Sequence, residues 1–128
     1  MIKKYTLLNI ADNSGVKVVK CFHHYFGSQK LTSHTGDFIK VSVRKRRYHK
    51  KWIKSKMVYT LKKGKKIKTY VVRTRYKTTK PDGSYFKFSE NASFTLKKRM
   101  TSRGKYAFGP FSYHHKRKKV LGSFAGII

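Results

Sequence analysis

Residues 7–22 read LLNIADNSGVKVVKCF: an apolar run, a break of small and polar residues that contains Asp12, and a second apolar run. Asp and Asn side chains hydrogen-bond to backbone two residues on and tolerate a left-handed backbone, and Gly adopts positive φ freely. Asp12, Asn13, Ser14 and Gly15 therefore predict a tight turn. The Leu, Ile and Val on either side predict strands, one over 5–11 and one over 16–22. The carboxylate is notable because the chain has only four acidic residues among 128. The other three repeat the setting: Asp37 beside Gly36 in HTGDF, Asp82 beside Gly83 in KPDGS, and Glu90 in FSENAS between two aromatic stretches. All four fall at predicted turns, and their expected job is to shape the backbone.

Outward from this hairpin the strand signals recur at close spacing. In DFIKVSVRK (37–45), Ile39, Val41 and Val43 share one face and Lys40, Ser42 and Arg44 the other. MVYTL (57–61) alternates again, KKGKK (62–66) is a Gly-centred basic turn, and IKTYVVRTRY (67–76) is the strongest strand signal. Residues 77–96 read as turn, strand, turn, strand; 25–36 read as a loop with two glycines; and the apolar end VLGSFAGII (120–128) suits a short helix or a strand. Helix signals are nearly absent before residue 110, and no internal repeat is evident. Many short strands separated by Gly and Asp turns predict an all-β fold, a small barrel. The length suits a single domain over 1–128 with a basic C-terminal extension.

Charge restricts function more than any motif. The formal net charge is +29, from 33 Lys and Arg against four acids, whereas a small soluble domain typically carries about 2 to 8 in magnitude. Such a chain repels itself until an anion neutralises it, which points to a polyanion, RNA or DNA ahead of a membrane surface. No apolar run approaches the ~18 residues of a membrane span, so no membrane partner is expected. No leader of the signal or transit type is read at the N-terminus, where a strand-like segment begins at Tyr5. The lone Cys21 in KVVKCF reads as a small core residue. The six histidines have no Cys or His partner at zinc-finger spacing, so neither a metal nor any other cofactor is expected. General acid–base or two-metal chemistry usually needs carboxylates, and here the four available are assigned to turns. A catalytic role is therefore not expected.

The basic residues cluster in three stripes. The densest is Arg44, Lys45, Arg46, Arg47, Lys50, Lys51, Lys54 and Lys56, interrupted by Tyr48 and Trp52, aromatics able to stack on bases. Lys62, Lys63, Lys65 and Lys66 form the second, and Arg99, Arg103, Lys116, Arg117 and Lys118 the third. Cationic side chains in separate loops suit a protein that grips RNA on several sides, by phosphate neutralisation and shape rather than base readout.

The motifs then become specific. MIKKYTLLNIADNSGVKVVKCF (1–22) resembles the start of the universal large-subunit ribosomal protein fourteen family: an apolar strand, an Ala-Asp-Asn-Ser-Gly turn, and a second strand ending near a Cys. GDFIKVSV (36–43) resembles the family's next element. Residues 71–92 resemble its signature through Val71, Val72, Arg73, Thr74, Asp82, Gly83, Phe88, Asn91 and Ala92, and FGPFS (108–112) resembles its Gly-Pro turn. The resemblance implies a five-stranded β-barrel with a C-terminal loop and a short helical segment. It implies a structural constituent of the large ribosomal subunit that binds large-subunit rRNA at the subunit interface. It also implies contact with large-subunit protein nineteen and bridges to small-subunit rRNA. The sequence departs from the family pattern at Tyr70, Phe94 and Thr95, where aliphatics are usual, and in YHHKRKK (113–119), where relatives carry mixed charges. That last departure removes the ground for carrying over partners that dock at the C-terminus. An excess of Lys over Arg, frequent Phe and Tyr, and scarce Ala fit an A+T-rich coding genome such as an organelle's. With the divergence, this points to a mitochondrial version, a plastid or bacterial origin being the alternative. Two other classes stand beside this reading: an RNA-binding β-barrel translation factor that visits ribosomes, and a basic ribonuclease.

Overall fold

A computed structural model of the chain describes residues 1–25, 27, 29–47, 61–112 and 118–128, with Lys118 described in its backbone alone. In chain order the elements are β1 (Ile2–Lys3), β2 (Leu7–Ile10), β3 (Val16–His24), β4 (Thr32–Ser33), β5 (Phe38–Arg46), β6 (Lys66–Arg73), β7 (Thr78–Thr79), β8 (Tyr85–Phe86), β9 (Ala92–Thr95), β10 (Tyr106–Ala107), α1 (Lys118–Leu121) and β11 (Gly126–Ile127). Strands β2, β3, β5, β6 and β9 form a closed barrel in that order. Each neighbouring pair along the chain is antiparallel, and the barrel closes through a parallel pairing of β2 with β9, Asn9 opposite Ala92 and Ile10 opposite Ser93. The parallel seam is a matter of counting: in a five-strand meander the first and fifth strands run the same way.

The interior follows the side-chain alternation. Leu8 and Ile10 of β2, Val16, Val19 and Cys21 of β3, Ile39, Val41 and Val43 of β5, and Ile67 and Val71 of β6 pack together with Ile2 and Leu61. Val16 and Val19 both point inward although three residues apart, and His24 rather than His23 is buried. Register shifts at Val16/Val18, Val18/Val19 and Cys21/His23 are the reason: each β-bulge resets which residues face the core. A second core lies outside the barrel wall. Phe38, Tyr70, Val72 and Phe94 face outward under a cover made by the C-terminal segment, with Ala107, Val120 and Phe124 against them. Strands β6 and β9 are therefore buried on both faces from Thr69 onward, which is why 67–76 carries a near-continuous apolar signal.

Several elements differ from the sequence reading. The first strand starts at Leu7 instead of residue 5, because Tyr5 takes a left-handed φ of 72° that no strand accommodates. The second runs on to His24, held by the long antiparallel pairing with β5. The segment 25–36 is not only loop: Thr32–Ser33 pairs with Ile2–Lys3. The strongest strand signal ends at Arg73, whose side chain turns to a separate task described below. Thr78–Thr79 and Tyr85–Phe86 make a small hairpin around Asp82, which accepts from the Ser84 N–H at 2.9 Å, with Gly83 at φ 86°. The chain end uses both options read from it, a short helix and then a strand parallel to β10. Of the predicted strand 57–61, Leu61 is described and buried, and the remainder lies outside the described residues.

Asp12 holds the closure together. It is fully buried. Its Oδ1 accepts from the Ser14 N–H at 2.8 Å, which sets the predicted turn, and Gly15 supplies the positive φ of 84°. Its Oδ2 accepts from the Thr95 N–H at 2.7 Å and the Thr95 hydroxyl at 2.8 Å, across the seam to β9. Asn13 continues the work: its Oδ1 accepts the N–H groups of Lys105 and Tyr106 at 2.7 and 3.1 Å. A Cβ on Gly104 would meet that oxygen at 2.8 Å, so only Gly lets the C-terminal segment approach so closely. The hairpin turn is thus also the anchor for β9 and for the outer cover. Asp12→Asn places an NH₂ where one set of donors now finds an oxygen. It is expected to destabilise the fold by about 2–4 kcal/mol, read as a lower urea midpoint at unchanged m in sulfate buffer. A midpoint within error of the parent would mean that the carboxylate does not hold the seam.

Candidate RNA interface

Barrel topology brings the described part of the three basic stripes to one rim. Strand β5 ends there with Arg44, Lys45 and Arg46, all exposed because the inward alternation stops at Val43. Arg47 follows; its N–H donates to the Gly15 carbonyl at 2.9 Å and its guanidinium to the Ile10 carbonyl at 3.2 Å. The basic turn of Lys62, Lys63 and Lys65 sits beside them, since Gly64 N–H donates to the Val43 carbonyl and Val43 N–H to the Lys65 carbonyl. Gly64 is at φ 84°, so the tight turn needs this Gly. Lys66 opens β6 opposite Ser42. Across β6, Leu96 N–H donates to the Lys68 carbonyl, so the turn carrying Lys97, Lys98 and Arg99 lies against the start of β6. Arg103 is half-buried, with its N–H on the Thr95 carbonyl. Lys50, Lys51, Lys54, Lys56, Lys116 and Arg117 lie outside the described residues, as do Tyr48 and Trp52, and Lys118 begins α1.

Of the four acids, Asp12 is buried and bound beside this rim, Glu90 shares a recess with Arg47 at its edge, and all are engaged by the protein itself. Asp37 accepts from Lys30 Nζ at 2.8 Å and from the His34 N–H at 2.9 Å. Glu90 differs from the turn role expected of it, because its carboxylate makes tertiary bonds rather than shaping a loop. It accepts from Arg73 at 2.8 Å and from Asn9 Nδ2 at 2.8 Å. Arg73, almost fully buried, also donates to the carbonyls of Phe108 and Pro110 at 2.9 and 3.0 Å. A Cβ on Gly109 would meet that guanidinium at 2.9 Å. Arg73 thus ties β6, the loop before β9 and the Gly-Pro turn into one unit. Together with Asn9, Lys17, Arg47 and Phe108, this group lines a recess of about 340 Å³.

Two rows of basic side chains escaped the sequence reading. The register aligns Lys20, Ser42 and Lys66 across β3, β5 and β6, and beside them His23, Lys40 and Lys68. Lys68 Nζ lies 4.5 Å from the Tyr25 ring and 4.9 Å from Phe38, and Lys66 Nζ 5.9 Å from Phe22, so aromatic faces carry the lysine stems on the outer sheet. The alternation in 37–45 already set Lys40 outward; what the sequence lacked was the register that lines it up with neighbours.

The described groups offer little chemistry. Burial pushes the Cys21 thiol up to about 11, so it stays protonated. Among the described residues no three His, Cys, Asp or Glu side chains gather to hold a metal ion. This is the build of a small basic barrel protein whose carboxylates serve its own fold. The comparisons name the family. The model of ribosomal protein L14p/L23e matches residues 1–126. The chain is 41% identical over 128 residues, the full length of both, to large ribosomal subunit protein uL14m of Tetrahymena pyriformis. It is 36% identical over 121 residues to large ribosomal subunit protein uL14 of Mesomycoplasma hyopneumoniae strain 7448, covering 94% of this chain and 92% of that one. The chain belongs to the ribosomal protein L14p/L23e family; it is a structural protein of the large ribosomal subunit and not an enzyme.

Acid stability follows from these contacts. The Asn9 hydrogen bond, with the Arg73 ion pair, holds the Glu90 carboxyl below its ordinary 4.5. A lowered carboxyl stabilises the fold above 4.5, and that contribution is lost as pH falls through the lowered folded value. Burial, with the nearby Lys30 charge, pulls His24 below 6.5, so the unfolded chain takes up that proton first and stability starts to fall below 6.5. Two declines are expected on acidification, one beginning near 6.5 and one below 4.5. Glu90→Gln should lower stability at pH 7 and shrink only the second decline, as followed by denaturant midpoints across pH. An undiminished lower step would remove Glu90 from that role.

Proposed function

We propose that this chain is a resident protein of the mitochondrial large ribosomal subunit in the matrix. It forms one domain with a basic C-terminal extension and binds large-subunit rRNA through the basic rim. It adds to the subunit interface by contacting small-subunit rRNA across a bridge and large-subunit protein nineteen beside it. The observation that carries this reading is the convergence of Arg44–Arg47, Lys62–Lys66, Arg99 and Arg103 on one barrel end, while the described acids are buried or bonded to the protein itself. Cations gathered without carboxylates need an external polyanion, and the family supplies one in the ribosome's RNA. The mitochondrial assignment is supported by the full-length match to a protein named as mitochondrial in type by its suffix, uL14m.

Two measurements test the proposal. On a sucrose gradient of dissociated organellar subunits at moderately high salt, the chain should run at one copy per large subunit. Recovery at the top of the gradient would mean a transient binder. In solution, changing Arg44, Lys45, Lys62 and Lys63 to Ala should flatten the salt dependence of rRNA binding by roughly 0.7 to 0.9 log units for every phosphate no longer neutralised. An unchanged slope would take the rim out of the interface.

A further inference from the structure

Tyr5 is held in a conformation that its side chain resists. Its φ is 72°, and among the described non-glycine residues only Met100 shares the left-handed region. The strained turn is fixed to β3 by Tyr5 N–H on the Cys21 carbonyl at 2.7 Å and Cys21 N–H on the Thr6 carbonyl at 2.9 Å. The result is a ring that packs into neither core and is 60% exposed. Lys4 Nζ lies 5.4 Å and Lys20 Nζ 5.0 Å from the ring centroid. Leu7, which faces Lys20 across the β2–β3 pair, adds an exposed apolar neighbour.

A purely structural turn does not account for this arrangement. Gly or Asn would adopt the same backbone with less strain, and an exposed turn has no need of an aromatic ring. Two ammonium groups drawn to one ring also repel each other, and anions on either side relieve that repulsion. An aromatic face flanked by flexible cations suits an unpaired base between two phosphates. We propose that Tyr5 is a stacking platform for one unpaired RNA base, with Lys4 and Lys20 on the phosphates that flank it and Leu7 against its ribose. This rests on the reading that the chain binds rRNA. It adds an interaction of another kind, with a base face, by residues outside the three stripes.

The test uses the full chain, a single-stranded oligoadenylate, and an RNA duplex of equal length, with binding followed by fluorescence anisotropy over a range of salt. Tyr5→Gly and Tyr5→Asn should each weaken single-strand binding about 5- to 100-fold, with the salt slope unchanged, because stacking releases no counterions. Duplex binding should not move, Tyr5→Phe should bind like the parent, and Lys20→Ala should flatten the slope by about 0.7. The thermal midpoint of the Gly and Asn variants should be unchanged or higher, since the backbone strain is relaxed. Parental single-strand affinity in both variants would overturn the stacking role while leaving the rRNA reading intact. An equal loss on the duplex, or a lower melting temperature in both variants, would also overturn it, showing that the ring serves general binding or the fold. Failure of the parent chain to bind either RNA would bring down both readings together.

Discussion

The parallel seam between β2 and β9 is the constraint on which the rest of the molecule depends, and Asp12 is what secures it. A closed barrel has no free edge only if its first and last strands find each other, and here they share a short stretch, Asn9 and Ile10 against Ala92 and Ser93. So brief a pairing is helped by side chains at its end. One carboxylate receives donors from its own turn and from Thr95, while the next residue receives donors from the C-terminal segment. The turn that starts the barrel, the strand that finishes it and the cover outside it therefore meet at two adjacent side chains. Burying a carboxylate is expensive unless its oxygens are bonded, and three donors here meet that requirement.

This use of carboxylates shapes the electrostatics of the whole surface. With only four acids in the chain, each one taken into the fold is one fewer to offset a cation outside. Asp12 is buried, Asp37 and Glu90 are paired with Lys30 and Arg73, and Asp82 is bound into its own turn. Neither ion pair among the described residues involves Arg44, Lys45, Arg46, Lys62 or Lys63 on the rim. The fold's stability and its attraction for a polyanion are thus linked: a ligand that binds only the folded chain stabilises it by mass action and removes the self-repulsion at the same time.

Much of this was legible in the sequence because it is written in local chemistry. The Asp-Asn-Ser-Gly turn, the alternation from Phe38 to Val43 and the Pro-Asp-Gly hairpin depend on neighbours within a few residues, and the all-β barrel followed from them. What stayed hidden depends on partners far along the chain. Asp12 reads as a turn residue, yet two of its three donors come from Thr95. Glu90 reads as a turn residue and instead bonds Arg73 and Asn9. The rows Lys20–Ser42–Lys66 and His23–Lys40–Lys68 exist only through register, and bulges in β3 shift that register in a way alternation cannot foretell. Tyr5 looked like the first residue of a strand, since nothing in its side chain announces a left-handed backbone.

The two cores differ in where they place aromatic rings. The barrel interior is built from Leu, Ile and Val with one Cys, in a space bounded by strands on every side, where an added ring would force the wall apart. Tyr70 and Phe94 stand on the outward faces of β6 and β9, against a cover made of a loop, a one-turn helix and a two-residue strand. The cover supplies an aromatic partner of its own: Phe94 meets Phe124 at 4.6 Å between centroids, while Tyr70 meets Phe38 of β5 at 5.4 Å. The rings thus fall on the outer side of the wall, while the hydrophobic cluster inside the barrel is aliphatic apart from Cys21. The same cover is tied down at Asn13 and Arg73, which hold the C-terminal segment over these rings.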